Sequence, residues 1–316
     1  MRSPYSPSSN TRANMYTLSE NKPFYYTLIL LNLFLWYPLK SDPFYMRMFV
    51  SLSCLLRLIS FLTALGTLAH LVIVIMDETD VDISEDIGDL SGFVGCMVVC
   101  LSFSTQHSQW CNFFKRLLNF KHFGTPPKYQ AVVRRGNWGA LICIIYTIPG
   151  MLWYCYLTLK DIPLCEAKNK RLGLKEACGM VNPTWVPPSQ MEGATFFVWY
   201  SLQSFGIFMY LPSSFAIASI PLEAVGVIIA RIDHLRAQLK DFSKLRDRRI
   251  VRERLQYCVS YHQDIIEVGK ELSGLVKSTM GSLLFTAAVV IGSLGSQVIK
   301  VNPQFLAKCI ALYASS

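Results

Sequence analysis

Charge is what this sequence has least of. Of its 316 residues 16% are Asp, Glu, Lys or Arg, while 52% are hydrophobic; soluble domains average about 25% charged and about 45–50% apolar. A water-soluble fold could not hide that much apolar surface, so lipid is the expected solvent. Other absences narrow the class further. There is no phosphate-cradling Gly-rich loop, no HExxH, no CxxC pair and no GxSxG, and the five histidines (His70, His107, His122, His234, His262) are scattered. No enzyme, metal site or cofactor is therefore expected. The segment Asn182-Pro183-Thr184 is no glycosylation sequon, because proline occupies its middle position. Residues 1–23 are rich in Ser, Asn, Pro and Tyr and lack the apolar core of a cleavable signal peptide, so the N-terminus is expected to stay where it is made.

What the chain has instead is long uncharged runs. Five stretches carry no Asp, Glu, Lys or Arg: Leu58 to Met76, Leu90 to Phe114, Gly136 to Leu159, Gly193 to Leu222, and Ser278 to Ile299. Each is long enough to cross a hydrocarbon core of about 30 Å as a helix, the form that satisfies its own backbone in lipid. The first is expected to begin near Met48, with Arg57 inside it. An earlier run, Phe24 to Leu39, is broken by Asn32 and Trp36-Tyr37-Pro38 and reads as a short interfacial helix. The expectation is an all-α, polytopic membrane helix bundle. It divides into a cytoplasmic N-terminus (1–47), four spans (48–230), a cytoplasmic helical loop (231–277), a fifth span (278–299), and a turn with a partial sixth helix (300–316). Because that last segment stops short of spanning, the chain reads as a fragment or a truncated gene model.

The charges that are present set the orientation. Residues 1–47 hold five Lys or Arg, the connector from Asp77 to Asp89 holds seven acids and no base, and Lys115 to Arg135 holds six bases and no acid. Residues 231–277 add eleven bases. By the positive-inside rule the N-terminus is cytoplasmic, opposite to receptors coupled to G proteins. The net charge of +9 is then electrostatics of the inner leaflet, not a nucleic-acid footprint.

Most of the ten cysteines lie in the spans as small apolar fillers. Cys165 and Cys178 fall in the second outer loop, the oxidising side, and are the disulfide candidates. In the outer halves of the helices, His70, Phe93, Met97, Trp153, Tyr154, Phe197, Tyr200, Phe205 and Met209 are candidates for lining an apolar ligand cavity, each weighed against plain lipid contact. Pro149, Pro212 and Pro221 favour kinks and a crevice there. On the inner side Ile232, Leu235, Leu239 and Phe242, then Leu255, Val259, His262, Ile266 and Leu272, recur at helical spacing, which makes His262 a packing histidine on a helix that bundles in the cytoplasm.

Taken together, Leu35-Trp36-Tyr37-Pro38, the stretch Cys178-Gly179 to Pro183-Thr184-Trp185-Val186-Pro187, and Cys258, His262-Gln263, Ile265-Ile266 and Leu272 resemble the insect odorant receptor family. Ser273 and Lys277 depart from it, standing where an acid and a small or apolar residue are usual. The resemblance implies an inverted seven-helix subunit of a ligand-gated cation channel, in the plasma membrane of olfactory neurons. Its partners would be a small volatile apolar ligand, a shared co-receptor and the lipid bilayer. It also implies that the seventh helix, which lines the pore, is missing from this stretch. An insect gustatory receptor is the alternative, with a membrane transporter or a G-protein-coupled receptor further off, since Arg57, Glu223 and His70 are too few to make an ion path.

Overall fold

The computed structural model describes residues 22–39, 42–76, 83–172, 177–186, 193–240 and 248–301. Among these residues every regular element is a helix: α1 (Tyr25–Leu33), α2 (Pro43–Met76), α3 (Ser84–Thr105), α4 (His107–Leu117), α5 (Tyr129–Lys160), α6 (Ile162–Leu172), α7 (Gly193–Lys240) and α8 (Arg248–Val301). Five of them, α2, α3, α5, α7 and α8, are long and apolar enough to cross a membrane, and the chain is a multi-pass membrane protein. α2 starts earlier than Met48: Pro43 takes the first helical position, and the Asp42 carboxylate accepts the Phe44 N–H at 2.9 Å. The segment Gln304 to Ser316 lies outside the described residues.

The second expected span needs correcting. The uncharged run does not continue as one helix to Phe114, because α3 ends at Thr105 and Gln106 leaves helical geometry (φ −94°, ψ 15°). Apolar residues of α4 fall at helical spacing, and Trp110, Phe113, Phe114 and Leu117 are buried against protein. One amphipathic face and a polar start, Gln106-His107-Ser108-Gln109, make this a packed helix and not the end of a span.

The chain forms two compact units. The first comprises residues 1–53, 103–141 and 219–276; the second comprises 54–102, 142–218 and 277–316. In the first, α1 and the turn after it are core elements. Leu35 takes a left-handed backbone (φ 60°), and the turn is held by the Asn32 amide donating to the Tyr37 carbonyl at 3.0 Å and by Ser53 donating to the Leu35 carbonyl at 3.0 Å. Trp36 and Tyr37 are thereby buried, with the Tyr37 ring 6.2 Å from Phe103 and its hydroxyl 3.3 Å from the Cys111 sulfur.

The N-terminus of α1 has no side-chain cap of its own. Its orphan donors go instead to Glu223 on α7, whose Oε2 accepts the Phe24 N–H at 2.8 Å and whose Oε1 accepts the Thr27 hydroxyl at 3.0 Å. A carboxylate at a helix N-terminus satisfies those N–H groups and meets the positive end of the helix dipole.

Further along α7, Arg231 is buried between the rings of Phe120 and Tyr261, 5.9 and 5.5 Å from their centroids, and its Nη2 donates to Asp264 at 2.6 Å. Phe123 stacks on Tyr261 at 4.4 Å. Arg116 on α4 pairs with Glu267 and lies 3.5 Å from Asp264. Burial alone would lower the Arg116 pKa, but the Glu267 hydrogen bond and the charges of Asp264, Glu267 and Glu271 hold it above the ordinary value. Burial likewise pushes the Glu271 carboxyl up, with Arg116 opposing.

This arrangement corrects the stripe read along α8. The buried face is Cys258, Tyr261, Ile265, Val268 and Leu272, whereas Leu255, Val259, His262 and Ile266 are exposed. Tyr261 and Asp264 turn inward because Arg231 needs both a ring and a carboxylate, a demand that hydrophobic spacing does not register. On α7, Leu235 is buried and Ile232 and Leu239 are exposed, while Phe242 lies outside the described residues.

The Glu223 contact gives a direct expectation. Replacing it with alanine leaves two buried donors on α1 unpaired and should destabilise the protein by about 1–3 kcal/mol, and Glu223→Gln, which keeps an acceptor oxygen, should cost less. Thermal unfolding of the purified protein measures both.

Candidate functional site

Among the described residues of the second unit, the stretch 177–186 is not helical and forms a strap. Its path is set locally. Gly179 takes φ +82°, and a β-carbon there would sit 2.6 Å from Ile162, so a side chain is excluded on both counts. Pro183 favours an extended backbone at Asn182. The Cys165–Cys178 disulfide ties the start of the strap to α6, with 5.6 Å between the two Cα atoms.

An extended segment without a neighbouring strand needs side-chain partners for its backbone. Gln203 on α7, 2% exposed, is the main one. Its amide oxygen accepts the N–H groups of Val181 at 2.9 Å and Asn182 at 3.3 Å, and its amide nitrogen donates to the Thr184 hydroxyl at 2.5 Å. Tyr154 on α5 donates to the Val181 carbonyl at 3.1 Å, and the Trp185 N–H reaches the Gly66 carbonyl of α2 at 3.2 Å. That last approach requires glycine, because a β-carbon on Gly66 would lie 2.6 Å from the Thr184 methyl.

The strap roofs a cavity of about 630 Å³ whose wall includes His70 from α2, Asp86 from α3, Tyr154 and Thr158 from α5, Asp161, and Leu164, Cys165 and Arg171 from α6. Small-molecule sites span about 300–1,000 Å³. In its wall His70 Nδ1 lies 2.9 Å from Asp86 Oδ1, and the Asp86 side chain is 4% exposed.

Of the nine residues expected to line a ligand cavity, His70 and Tyr154 do so here. The others are dispersed within the unit. Phe93 packs edge-on to Tyr210 at 5.4 Å and Met209 is buried, Met97 is half-buried, and Tyr200 donates to the Cys155 carbonyl at 2.7 Å. Trp153, Phe197 and Phe205 are exposed, the first two by 62% and 63%, as expected for side chains that face lipid. Asp86, Asp161, Arg171 and Gln203 were not singled out from the sequence. Asp86 enters the sequence reading only as one of the seven acids of the 77–89 connector, Asp161 and Arg171 carry no signal of their own, and the one signal for Gln203 is a strongly polar amide in an otherwise apolar span.

A family model described as the 7tm odorant receptor matches residues 82–315. The chain belongs to the 7tm odorant receptor family. Its fold is similar to that of the insect olfactory receptor OR5 from Machilis hrabei, solved in complex with eugenol, with a TM-score of 0.60 at 15% identity over 85% of this chain and 68% of that one. No curated protein matches it in sequence. Within this odorant receptor fold the strap is tied to four helices, to α2 at Gly66, to α5 through Tyr154, to α6 through the disulfide and to α7 through Gln203.

The Gly66 contact can be tested by rescue. Gly66→Ala should destabilise the receptor by about 1–3 kcal/mol through overpacking against the Thr184 methyl. Thr184→Ser removes that methyl and keeps the hydroxyl for Gln203, so the double variant should recover most of the loss in unfolding temperature.

Proposed function

We propose that this member of the odorant receptor family is a plasma-membrane subunit that binds a small volatile ligand and gates a cation channel together with a shared co-receptor. The observation that carries the reading is the cavity of about 630 Å³ in the second unit, a volume suited to a small molecule, with a mixed apolar and polar wall. The eugenol bound to the Machilis hrabei receptor is a ligand of that size class. A ligand acts here by differential affinity alone: it shifts the closed and open populations only as far as it prefers one of them.

The loop charges support a cytoplasmic N-terminus. The acid-rich connector Asp77 to Asp89 then faces outward, and the basic segments 115–135 and 231–277 face the anionic inner leaflet. In the same reading residues 48–230 carry the ligand-binding helices and 231–277 the cytoplasmic helical extension.

Expressed with the co-receptor, the protein should give odorant-evoked cation current, and an N-terminal tag should stain only after permeabilisation. Silence across a broad odorant panel with surface expression established, or staining of intact cells, contradicts the reading.

A further inference from the structure

Another cavity, of about 460 Å³, lies in the first unit, where α1 meets the basic start of α5. Its described wall is formed mainly by Tyr26 of α1 and by Gln130, Arg134, Asn137, Trp138 and Leu141 of α5, and it holds no carboxylate. The Asn137 amide donates to the Lys22 carbonyl at 3.4 Å, which holds the approach to α1 against α5. Glu223 also meets α5, at Gly136, but both of its oxygens serve α1, and Gly136 lies about half a turn round the helix from Arg134. Arg134 is exposed and has no acidic partner among the described residues, whereas Lys128 reaches Asp233 at 3.8 Å.

Gln130, Arg134, Trp138 and Leu141 recur at spacings of four, four and three, which puts them on one face of α5 over about 16 Å. Along that face the order is amide, guanidinium, indole, hydrocarbon, and the uncharged run then continues to Leu159. A phospholipid has the same order of polarity from headgroup to acyl chain, and Trp138, 58% exposed, suits the level at which indole rings sit in a membrane interface. Resting on the reading that segment 115–135 faces the inner leaflet, we propose that this groove holds one anionic phospholipid. Arg134 receives the phosphate through its planar fork, Trp138 covers the glycerol esters, and Leu141 begins the wall for an acyl chain. With a guanidinium and no carboxylate in the wall, a headgroup of net negative charge is favoured over a zwitterionic one. A soluble phosphate would engage Arg134 alone and leave Trp138 and Leu141 uncovered.

The test titrates the purified full chain, in neutral detergent, with nitroxide-labelled phosphatidylserine or phosphatidylcholine of identical acyl chains. Quenching of tryptophan fluorescence reads binding, and the part lost in Trp138→Phe belongs to this groove. That part should show phosphatidylserine binding about fivefold tighter than phosphatidylcholine, the effect of one basic group beside an anionic headgroup. Arg134→Gln should erase the preference, and Arg134→Lys, which keeps the charge without the fork, should retain some of it. Arg135→Gln removes the same charge from outside the described wall and should leave the preference intact. Glycerophosphoserine, the headgroup without its chains, should not compete. No Trp138-dependent quenching, no preference in the parent protein, or equal loss from Arg134→Gln and Arg135→Gln overturns the proposal. Displacement by glycerophosphoserine also overturns it, because it marks a site for soluble anions. The N-terminal tag decides the orientation separately, and the co-expression currents decide the receptor reading.

Discussion

Water is unavailable as a hydrogen-bonding partner within the membrane-spanning helices and the buried cores beside them, and the structure follows from how the polar groups there manage without it. Helices satisfy their own backbone. Everything that is not helix, and every ionisable side chain within the apolar runs, must find a partner inside the protein or cost several kcal/mol. Glu223, a lone acid beside an uncharged run, is accounted for by the start of α1, which has no cap of its own. Gln203 serves the strap in the same way. Arg231, 1% exposed, persists because Asp264 and two aromatic rings surround it. Glu223 and Gln203 each fix a segment that lacks a cap or regular structure, and breaking either contact leaves buried donors unsatisfied, whereas Arg231 ties α7 to Asp264 of α8.

The helical class and most of the spans were legible because composition alone demands them: long uncharged runs have one stable form in lipid. The end of the second span was not, since a count of charges treats Gln106-His107-Ser108-Gln109 as permissible in a membrane, while the i, i+3, i+4, i+7 spacing of Trp110, Phe113, Phe114 and Leu117 shows a one-sided helix. The inner face of α8 was misplaced for a related reason. Hydrophobic periodicity scores Leu255, Val259 and Ile266 above Cys258, Tyr261 and Asp264, but Arg231 recruits the latter by specific pairing.

The candidate site was legible to a smaller degree. Aromatic residues gathered in the outer halves of spans are equally suited to lipid and to a cavity, and Trp153 and Phe197 proved to be exposed. Residues that build the cavity did so through pairwise contacts across distant sequence, His70 with Asp86 and Tyr154 with Val181, which no spacing rule encodes. The strap was visible as a motif, through Gly179, Pro183 and the Cys165–Cys178 pair, but its dependence on Gln203 required the fold.

Hydrogen–deuterium exchange over 177–186 tests the central claim most directly, because it reads whether a helix-borne amide replaces water for this strap. The Val181 and Asn182 amides should exchange slowly in the parent protein and about 10-fold or more faster in Gln203→Leu, which matches the side chain in size and removes both hydrogen-bonding atoms. Fast exchange in the parent, or rates unchanged by the substitution, would contradict it.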